Sequence, residues 1–299
     1  MRFGVQLPET EYEATWPQMV EMARAAEEVG LDSLWVGDHL LYEEGGVRSG
    51  PWEAWSLLSG LAAVTSRITL GPLVAALPFH NPAVLAKAAA TIDEISGRRL
   101  IFGVGAGWNQ IEFSAFGLPY ERRVARFAEA FLIIRRLLAG ERVDFFGEFY
   151  QMDGAELLPR PSRPGGLPFM IGSNRPRMLS IALPHVDSWN SWYSGFDNDP
   201  QRVGDLVSQI EAACRDAGRD PTTVKKSVAV YIGFGDRPAR RTGGSPWWGS
   251  NDEQVERLRV VEAAGIDEVI GILDPISAKS IEKFGEIVAG FRGHSRSGD

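Results

Sequence analysis

The sequence has little cysteine, little lysine and no long apolar run. Cys214 is the only cysteine among 299 residues, which excludes an intrachain disulfide and a thiolate metal cluster. No segment approaches the roughly 20 consecutive apolar residues that span a bilayer. The first residues show no targeting segment of the cleavable type. We therefore expect a cytoplasmic protein that does not contact a membrane.

Positive charge is also scarce, because 31 Lys and Arg residues face 39 Asp and Glu residues, a formal net charge of −8 at pH 7. Binding to a phosphate backbone depends on clustered basic side chains, so this balance argues against a nucleic-acid partner. Few of the basic residues are lysines, and these are Lys87, Lys225, Lys226, Lys279 and Lys283.

Short apolar runs alternate with stretches in which apolar residues recur at helical spacing. The runs predict eight strands, over residues 3–7, 33–37, 68–74, 99–105, 168–172, 186–189, 224–232 and 268–273. Helices are predicted over residues 16–29, 52–64, 82–95, 121–139, 200–217 and 252–264, from residue 176, and up to about residue 290. Continuous apolar strands are typical of parallel sheets that are buried on both faces. The alternation predicts an α/β fold, a (β/α)8 TIM barrel, rather than an open doubly wound sheet.

We expect a single domain over residues 1–299, with two segments beyond a minimal barrel. Residues 142–166 are rich in proline near their end, and residues 236–250 are rich in Gly, Pro and Arg. Long loops of this kind are usually lids or binding loops, so both predict insertions at the carboxyl-terminal face. The polar tail, residues 294–299, is expected to be disordered.

Two common barrel chemistries are disfavoured, because the catalytic groups of a TIM barrel lie at the carboxyl ends of its strands. A Schiff-base enzyme needs a lysine there, yet Lys225 and Lys226 begin the seventh predicted strand and the other three lie on helices. The four histidines do not gather with acidic residues at strand ends, as a metallohydrolase requires.

The strand-end rule instead selects an adjacent acid and imidazole, Asp38 and His39. An unperturbed imidazole pKa near 6.5 suits proton exchange at neutral pH, so His39 is the predicted proton carrier. His80 precedes Asn81 and Pro82, a typical helix start with a capping residue. We therefore interpret Asn81 as structural and His80 as non-catalytic.

Glycine-flanked backbone segments also end two strands. The backbone amides of Ala106-Gly107 and Gly172-Ser173 could hold a phosphate where a loop meets a helix. The Gly-Val-Gly-Ala-Gly-Trp stretch is not a dinucleotide fingerprint, because Trp108 stands where the third glycine is needed. Its glycines permit either close packing or close approach of a cofactor. With the aromatic residues at the strand ends, these segments suit a flat aromatic cofactor.

Several motifs together resemble the bacterial luciferase-like monooxygenases and deazaflavin-dependent oxidoreductases. They include Phe-Gly-Val-Gln-Leu-Pro at the start, then Val-Gly-Leu-Asp-Ser-Leu-Trp-Val-Gly-Asp-His, Gly-Val-Gly-Ala-Gly-Trp-Asn-Gln-Ile-Glu-Phe and Pro-Phe-Met-Ile-Gly-Ser. The resemblance implies a (β/α)8 barrel that carries either FMN or coenzyme F-420, a deazaflavin. It also implies a homodimer, and a bulge with a non-prolyl cis peptide within residues 74–76.

The resemblance further implies which residues contact the cofactor. Asp38 and His39 face the ring. The remaining cofactor-binding residues are Val74, Ala75, Ala106, Gly107 and Asn109 around the ring and tail, and Gly172, Ser173 and Asn174 at the phosphate. The aromatic residues expected to line a substrate pocket are Trp108, Trp189, Trp192 and Trp247.

The expected activity is hydride transfer between coenzyme F-420 and a small, largely apolar organic substrate. A sugar phosphate is disfavoured, because the sugar-phosphate dehydrogenases of this family place a glutamate where this chain has Trp108, and bind the substrate phosphate with lysines that are lacking at the strand ends here. One alternative is an FMN-dependent monooxygenase that uses O2 and a separate reductase. The others are a catalytically silent flavin-binding relative and a barrel without any redox cofactor.

Overall fold

A computed structural model describes residues 1–163, 165–235 and 245–294. Its strands are β1 (Arg2–Gln6), β2 (Ser33–Val36), β3 (Tyr42–Glu44), β4 (Val47–Ser49), β5 (Thr69–Pro72), β6 (Ala75–Ala76), β7 (Phe102–Gly105), β8 (Val143–Phe146), β9 (Gln151–Ala155), β10 (Phe169–Gly172), β11 (Ser188–Ser191), β12 (Lys225–Gly233) and β13 (Glu268–Asp274). Its α-helices are α1 (Trp16–Glu28), α2 (Ala54–Val64), α3 (Pro82–Ile95), α4 (Gln110–Ala115), α5 (Arg123–Leu138), α6 (Pro176–Ala182), α7 (Val203–Asp216), α8 (Asn251–Ala263) and α9 (Ala278–His294).

All eight predicted strands are present; the third, predicted over residues 68–74, is β5, and the short strand β6 that follows it was not predicted. They pair in parallel, and most of their residues are buried, as the continuous apolar runs predict. Contacts between residues group the chain into two compact units. The first contains residues 1–35 and 172–299, and the second contains residues 36–171. The expectation of one domain over residues 1–299 stays a prediction.

The first unit, residues 1–35 and 172–299, contains five parallel strands in the order β2-β1-β13-β12-β11. Gly4 pairs with Ile270, which in turn pairs with Ala229 on β12. A side chain on Gly4 would lie 2.1 Å from the Ser33 hydroxyl oxygen, so glycine is required where β1 passes β2. This register brings the carboxyl ends of β1, β12 and β13 side by side.

The second unit, residues 36–171, places β7 between β6 and β10. Ala75 pairs with Val104 and Phe169 with Phe102. A side chain on Gly103 would lie 2.1 Å from the Pro72 carbonyl oxygen, so this glycine permits the close packing of β7 against β5. Of the two roles considered for the glycine-rich stretch, close packing therefore applies at Gly103.

The structure refines several boundaries. The segment over residues 142–166, predicted as an insertion loop, contains an antiparallel hairpin of β8 and β9. The short helix α4 was not predicted, and it precedes a long helix that begins at Arg123 rather than at residue 121. The non-prolyl cis peptide joins Leu73 to Val74, so its placement within residues 74–76 was wrong by one bond.

Two predictions fall wholly or partly on residues that are not described. Most of the second insertion, residues 236–244 of 236–250, lies outside the described residues, as does the tail from residue 295. Within the part of the chain that is described, no helix is both long enough and apolar enough to cross a membrane.

Arg99 joins α2, α3 and β5 within the second unit. Its guanidinium donates to the carbonyl oxygens of Ala62, Thr65 and Ile68 at 2.7 to 3.0 Å, and to that of Ser96 at 2.5 Å. Such a planar fork of donors cannot be reproduced by a single ammonium group.

We expect Arg99→Lys to lower the free energy of unfolding by about 2 kcal/mol, because several carbonyl groups lose their donors. Arg24→Lys on the exposed side of α1 is the matched control, with a change within about 0.5 kcal/mol. Thermal unfolding followed by circular dichroism measures both. Equal losses of stability in the two variants would contradict this role for Arg99.

Candidate active site

Asp38 follows β2 and is 3% exposed. Its Oδ2 accepts a hydrogen bond from the backbone N–H of Ala76 at 2.9 Å and lies 2.9 Å from Nε2 of His80. A buried carboxylate needs such donors, because burial removes the water that would otherwise solvate its charge. Asp38 therefore ties the end of β2 to β6 and to the segment before α3.

His80 has a role that the sequence did not indicate. Asn81 caps α3 as predicted, since its side-chain oxygen accepts from the N–H groups of Ala83 and Val84. His80 itself faces Asp38. Burial alone would lower the pKa of His80, but the hydrogen bond and charge of Asp38, aided by the charge of Glu53, raise it above its usual value. The imidazolium form of His80 is thus favoured.

His39 pairs with a different carboxylate, that of Glu112 on α4. Nδ1 of His39 lies 2.9 Å from Oε1 of Glu112, whose side chain is fully buried. The other oxygen, Oε2, accepts from the N–H of Leu40 at 2.5 Å and of Leu41 at 3.3 Å. Sequence reasoning missed Glu112. The signal for Glu112 is an acidic residue that lies between two apolar residues, Ile111 and Phe113, in the first turn of a helix.

The residues at the start of α4 also contact the turn after β2, which carries His39. Asn109 is buried, and its side-chain N–H donates to the Leu41 carbonyl at 2.9 Å. Gly107 has a φ of 72°, and a side chain there would lie 2.9 Å from the Phe113 ring. Arg123 donates to the Gly107 carbonyl at 3.0 Å. Contacts within the second unit therefore bring Asn109 to the turn that carries His39.

The other residues predicted to contact the ring lie in the same unit. Ala75 is fully buried on β6, and Val74 precedes it. The side chain of Val74 fills the space beside Gly103 and Gly105. Ala106 directly follows β7 and is half-buried.

Aromatic side chains surround the His39 imidazole. Its ring centre lies 4.6 Å from that of Tyr42 and 5.8 Å from that of Trp108, and the Trp108 side chain is 63% exposed. An exposed indole beside a histidine can offer its apolar surface to a ligand. Trp108 is thus accessible beside the predicted proton carrier.

In the first unit, Gly172 ends β10, and Ser173 and Asn174 follow it. The side-chain N–H of Asn174 donates to the Ser191 hydroxyl at 2.8 Å, and the Ser173 hydroxyl accepts from the Arg175 backbone N–H at 3.2 Å. The indole N–H of Trp189 donates to the Ser173 carbonyl at 2.9 Å. This segment is therefore held in place by β11.

The tryptophans of the first unit differ in position. Trp189 is fully buried and Trp247 is 5% exposed, so both are enclosed rather than placed on an open wall, and each indole N–H bonds to a backbone carbonyl. Trp192 is half-buried and packs on Tyr193. Of the three, Trp192 offers the most surface.

Further polar groups lie near the carboxyl ends of strands in the first unit. The Tyr231 hydroxyl donates to the buried carboxylate of Asp274. Gln6 is 3% exposed, and its Oε1 has no hydrogen-bond donor among the described residues. A buried oxygen without a donor costs free energy, and a polar ligand can supply that donor.

The chain matches the family model of luciferase-like monooxygenases over residues 1–242. It is 36% identical over 184 residues to 5,10-methylenetetrahydromethanopterin reductase of Archaeoglobus fulgidus, covering 61% of this chain and 50% of that protein. It is 40% identical over 171 residues to the F-420-dependent glucose-6-phosphate dehydrogenase of Amycolatopsis mediterranei, covering 55% of this chain and 50% of that protein. Each match thus spans about half the length of the relative.

The structure also resembles that of the coenzyme F-420-dependent tetrahydromethanopterin reductase from Methanopyrus kandleri. The TM-score is 0.78 at 21% identity, with 97% of this chain and 99% of that chain covered. A likeness at this identity concerns the fold. The predicted α/β-barrel fold class is thereby confirmed.

The Asp38–His80 pair predicts a dependence of stability on pH. Because the pKa of His80 is raised in the folded protein, the stabilisation is fully present below the unfolded value of about 6.5 and is lost as pH rises through the folded value. We expect the melting temperature of the wild type to exceed that of His80→Gln most at acidic pH. This difference should shrink toward alkaline pH.

Thermal unfolding of both proteins across this pH range measures the effect. His185→Gln, at an exposed position, is the control and should show a constant difference. A difference between wild type and His80→Gln that grows with pH would contradict the assignment.

Proposed function

The chain belongs to the luciferase-like monooxygenase family, and from that premise we propose that it is an oxidoreductase that uses coenzyme F-420. It would transfer a hydride to or from a small, largely apolar organic substrate. The observation that carries the proposal is the carboxylate–imidazole pair of Glu112 and His39, set beside the exposed Trp108. The relative from Amycolatopsis mediterranei, which is named for F-420, supports the same cofactor.

The residues present fit such a group. The buried Gln6 oxygen has no donor among the described residues, so a polar edge of a ligand would satisfy it. Ser173 and Asn174 follow a strand end and are followed by Arg175 and Arg177, both exposed. Backbone amides next to guanidinium groups suit an anionic phosphate.

Each unit contains residues that we propose as cofactor contacts. In the second unit the ring would contact Asp38, His39, Val74, Ala75, Ala106, Gly107 and Asn109. In the first unit the phosphate would be held by Gly172, Ser173 and Asn174. When bound, the deazaflavin supplies a carbon that accepts or donates hydride, and it reacts poorly with oxygen.

The protein's own residues would manage the proton. His39 exchanges a proton with the substrate heteroatom, while Glu112 holds the imidazole in place through Nδ1. Asp38 holds the backbone of Ala76 and the His80 side chain, which fixes the turn that carries His39. The exposed apolar face of Trp108 would exclude water from the substrate.

The substrate class follows from what surrounds His39. Tyr42 and Trp108 present aromatic surface there, and no lysine lies in the second unit except Lys87 on α3, which donates to the Leu158 carbonyl. A sugar phosphate needs cations to hold its charge. We therefore propose a largely apolar substrate, although several relatives are named for glucose 6-phosphate.

The proposal extends to a homodimer and a cytoplasmic location. Cys214 is a buried free thiol, which suits a reducing compartment. A separate reductase belongs only to the FMN alternative, in which reduced flavin must be supplied.

We expect the purified protein to bind coenzyme F-420 at least about tenfold more tightly than FMN, as measured by titration of each cofactor's absorbance and fluorescence. Ser173→Asp should weaken binding about tenfold or more, because it places a carboxylate near the phosphate. Ser180→Asp, with the same change at an exposed position of α6, is the control. Tight FMN binding would favour the monooxygenase alternative, and binding of neither cofactor would refute the proposal.

His39→Ala should lower turnover about a hundredfold or more and weaken F-420 binding far less, because the loss of one of several ring contacts costs less than the loss of the proton carrier. Reduced cofactor is mixed with a panel of carbonyls, imines and alkenes, oxidised cofactor with alcohols, and the change in absorbance is followed. His185→Ala serves as the exposed control. Wild-type turnover by His39→Ala would refute the proton role. No turnover by the wild type across the panel, despite tight binding, would favour the catalytically silent relative.

A further inference from the structure

The two carboxylate oxygens of Glu112 contact different groups. Oε2 accepts from the backbone N–H groups of Leu40 and Leu41, and Oε1 lies 2.9 Å from Nδ1 of His39. The side chain has no exposed surface, so these contacts take the place of water around the carboxylate. The two backbone N–H groups donate to it and compensate for part of the lost hydration.

We propose that Glu112 is a positioning residue that fixes the tautomer of His39. A carboxylate oxygen can only accept a hydrogen bond, so Nδ1 of His39 carries the hydrogen in their contact. Neutral His39 then has its lone pair on Nε2, and Nε2 is the nitrogen that takes up a proton. This inference rests on the proposed function only for the use of that proton.

The direction of the Glu112 side chain is set by the backbone rather than by His39. Two consecutive N–H groups, those of Leu40 and Leu41, converge on Oε2, which turns Oε1 toward the imidazole. Asn109 donates to the Leu41 carbonyl and holds the same turn from the other side. The acceptor for Nδ1 is therefore preorganised within the second unit.

This geometry makes the glutamine variant informative. In Glu112→Gln the two backbone N–H groups still require an acceptor, so the amide oxygen takes the place of Oε2. The amide NH2 then faces Nδ1 of His39 and donates to it. Nδ1 must become the acceptor, and the hydrogen moves to Nε2. The variant should thus invert the tautomer with almost no change in shape.

The inversion can be measured without cofactor or substrate. Protein with 15N-labelled histidine is examined by long-range 1H–15N correlation spectra above the pH at which histidines titrate. The His39 signals are those absent from the His39→Ala spectrum. We expect Nδ1 to be protonated in the wild type and Nε2 to be protonated in Glu112→Gln. Glu94→Gln, an exposed position on α3, should keep the wild-type pattern.

Kinetic measurements on Glu112 variants distinguish a positioning role from a purely structural role in holding the turn after β2. We expect Glu112→Gln to lower kcat about a hundredfold or more with KM and cofactor affinity little changed, because a wrong tautomer removes the base but not the binding groups. A purely structural role would lower affinity and melting temperature together. Glu112→Asp keeps a charged acceptor and should retain the wild-type tautomer and recover part of kcat.

Two results would overturn the proposal. One is a wild-type spectrum with Nε2 of His39 protonated, and this spectrum needs no variant to fold. The other is a folded Glu112→Gln protein with the wild-type tautomer or a kcat within about twofold of the wild type. If the protein binds no deazaflavin, the proposed function fails while the spectra still decide the tautomer.

Discussion

The arrangement around His39 depends on the need of two buried carboxylates for donors. Asp38 and Glu112 are almost completely enclosed, and a carboxylate removed from water is tolerated only where protein donors replace its hydration. Asp38 therefore fixes the backbone at Ala76 and the side chain of His80, and Glu112 fixes the turn after β2 and the ring of His39. The candidate site owes its geometry to these requirements rather than to packing alone.

The fold could be predicted largely from periodicity, because a parallel strand that is buried on both faces must be apolar throughout. The predicted bounds of β12 differ from the observed ones by one residue, and those of α3 coincide with them. Short elements could not be predicted where the apolar pattern is too short or the segment is too polar. Helix α4 has only six residues, and the strands of the β8–β9 hairpin alternate between buried and exposed residues within a segment that resembles a loop. Neither element gives a periodic pattern that is long enough to be distinguished from a loop.

The site could be predicted only in part, for a related reason. Asp38 and His39 are found by the rule that barrel chemistry lies at strand ends, which needs only local sequence. Their partners cannot be found in this way, since His80 lies 42 residues from Asp38 and Glu112 lies 73 residues from His39. The capping role of Asn81 explains the residues around His80, so His80 is interpreted as non-catalytic and its contact with Asp38 is not predicted. Contacts across such distances in sequence appear only once the strands are placed.

The two carboxylate–imidazole pairs use opposite ring nitrogens, and this difference separates their roles. His80 faces Asp38 through Nε2, the nitrogen at the far end of its ring, and its raised pKa favours a retained proton. His39 faces Glu112 through Nδ1, the nitrogen nearest its own backbone. A histidine held by Nδ1 keeps its far nitrogen as the basic one, whereas a histidine held by Nε2 commits that nitrogen to a structural bond. A carboxylate–imidazole pair therefore braces the fold at Asp38 and His80, and at Glu112 and His39 it suits the proposed proton exchange.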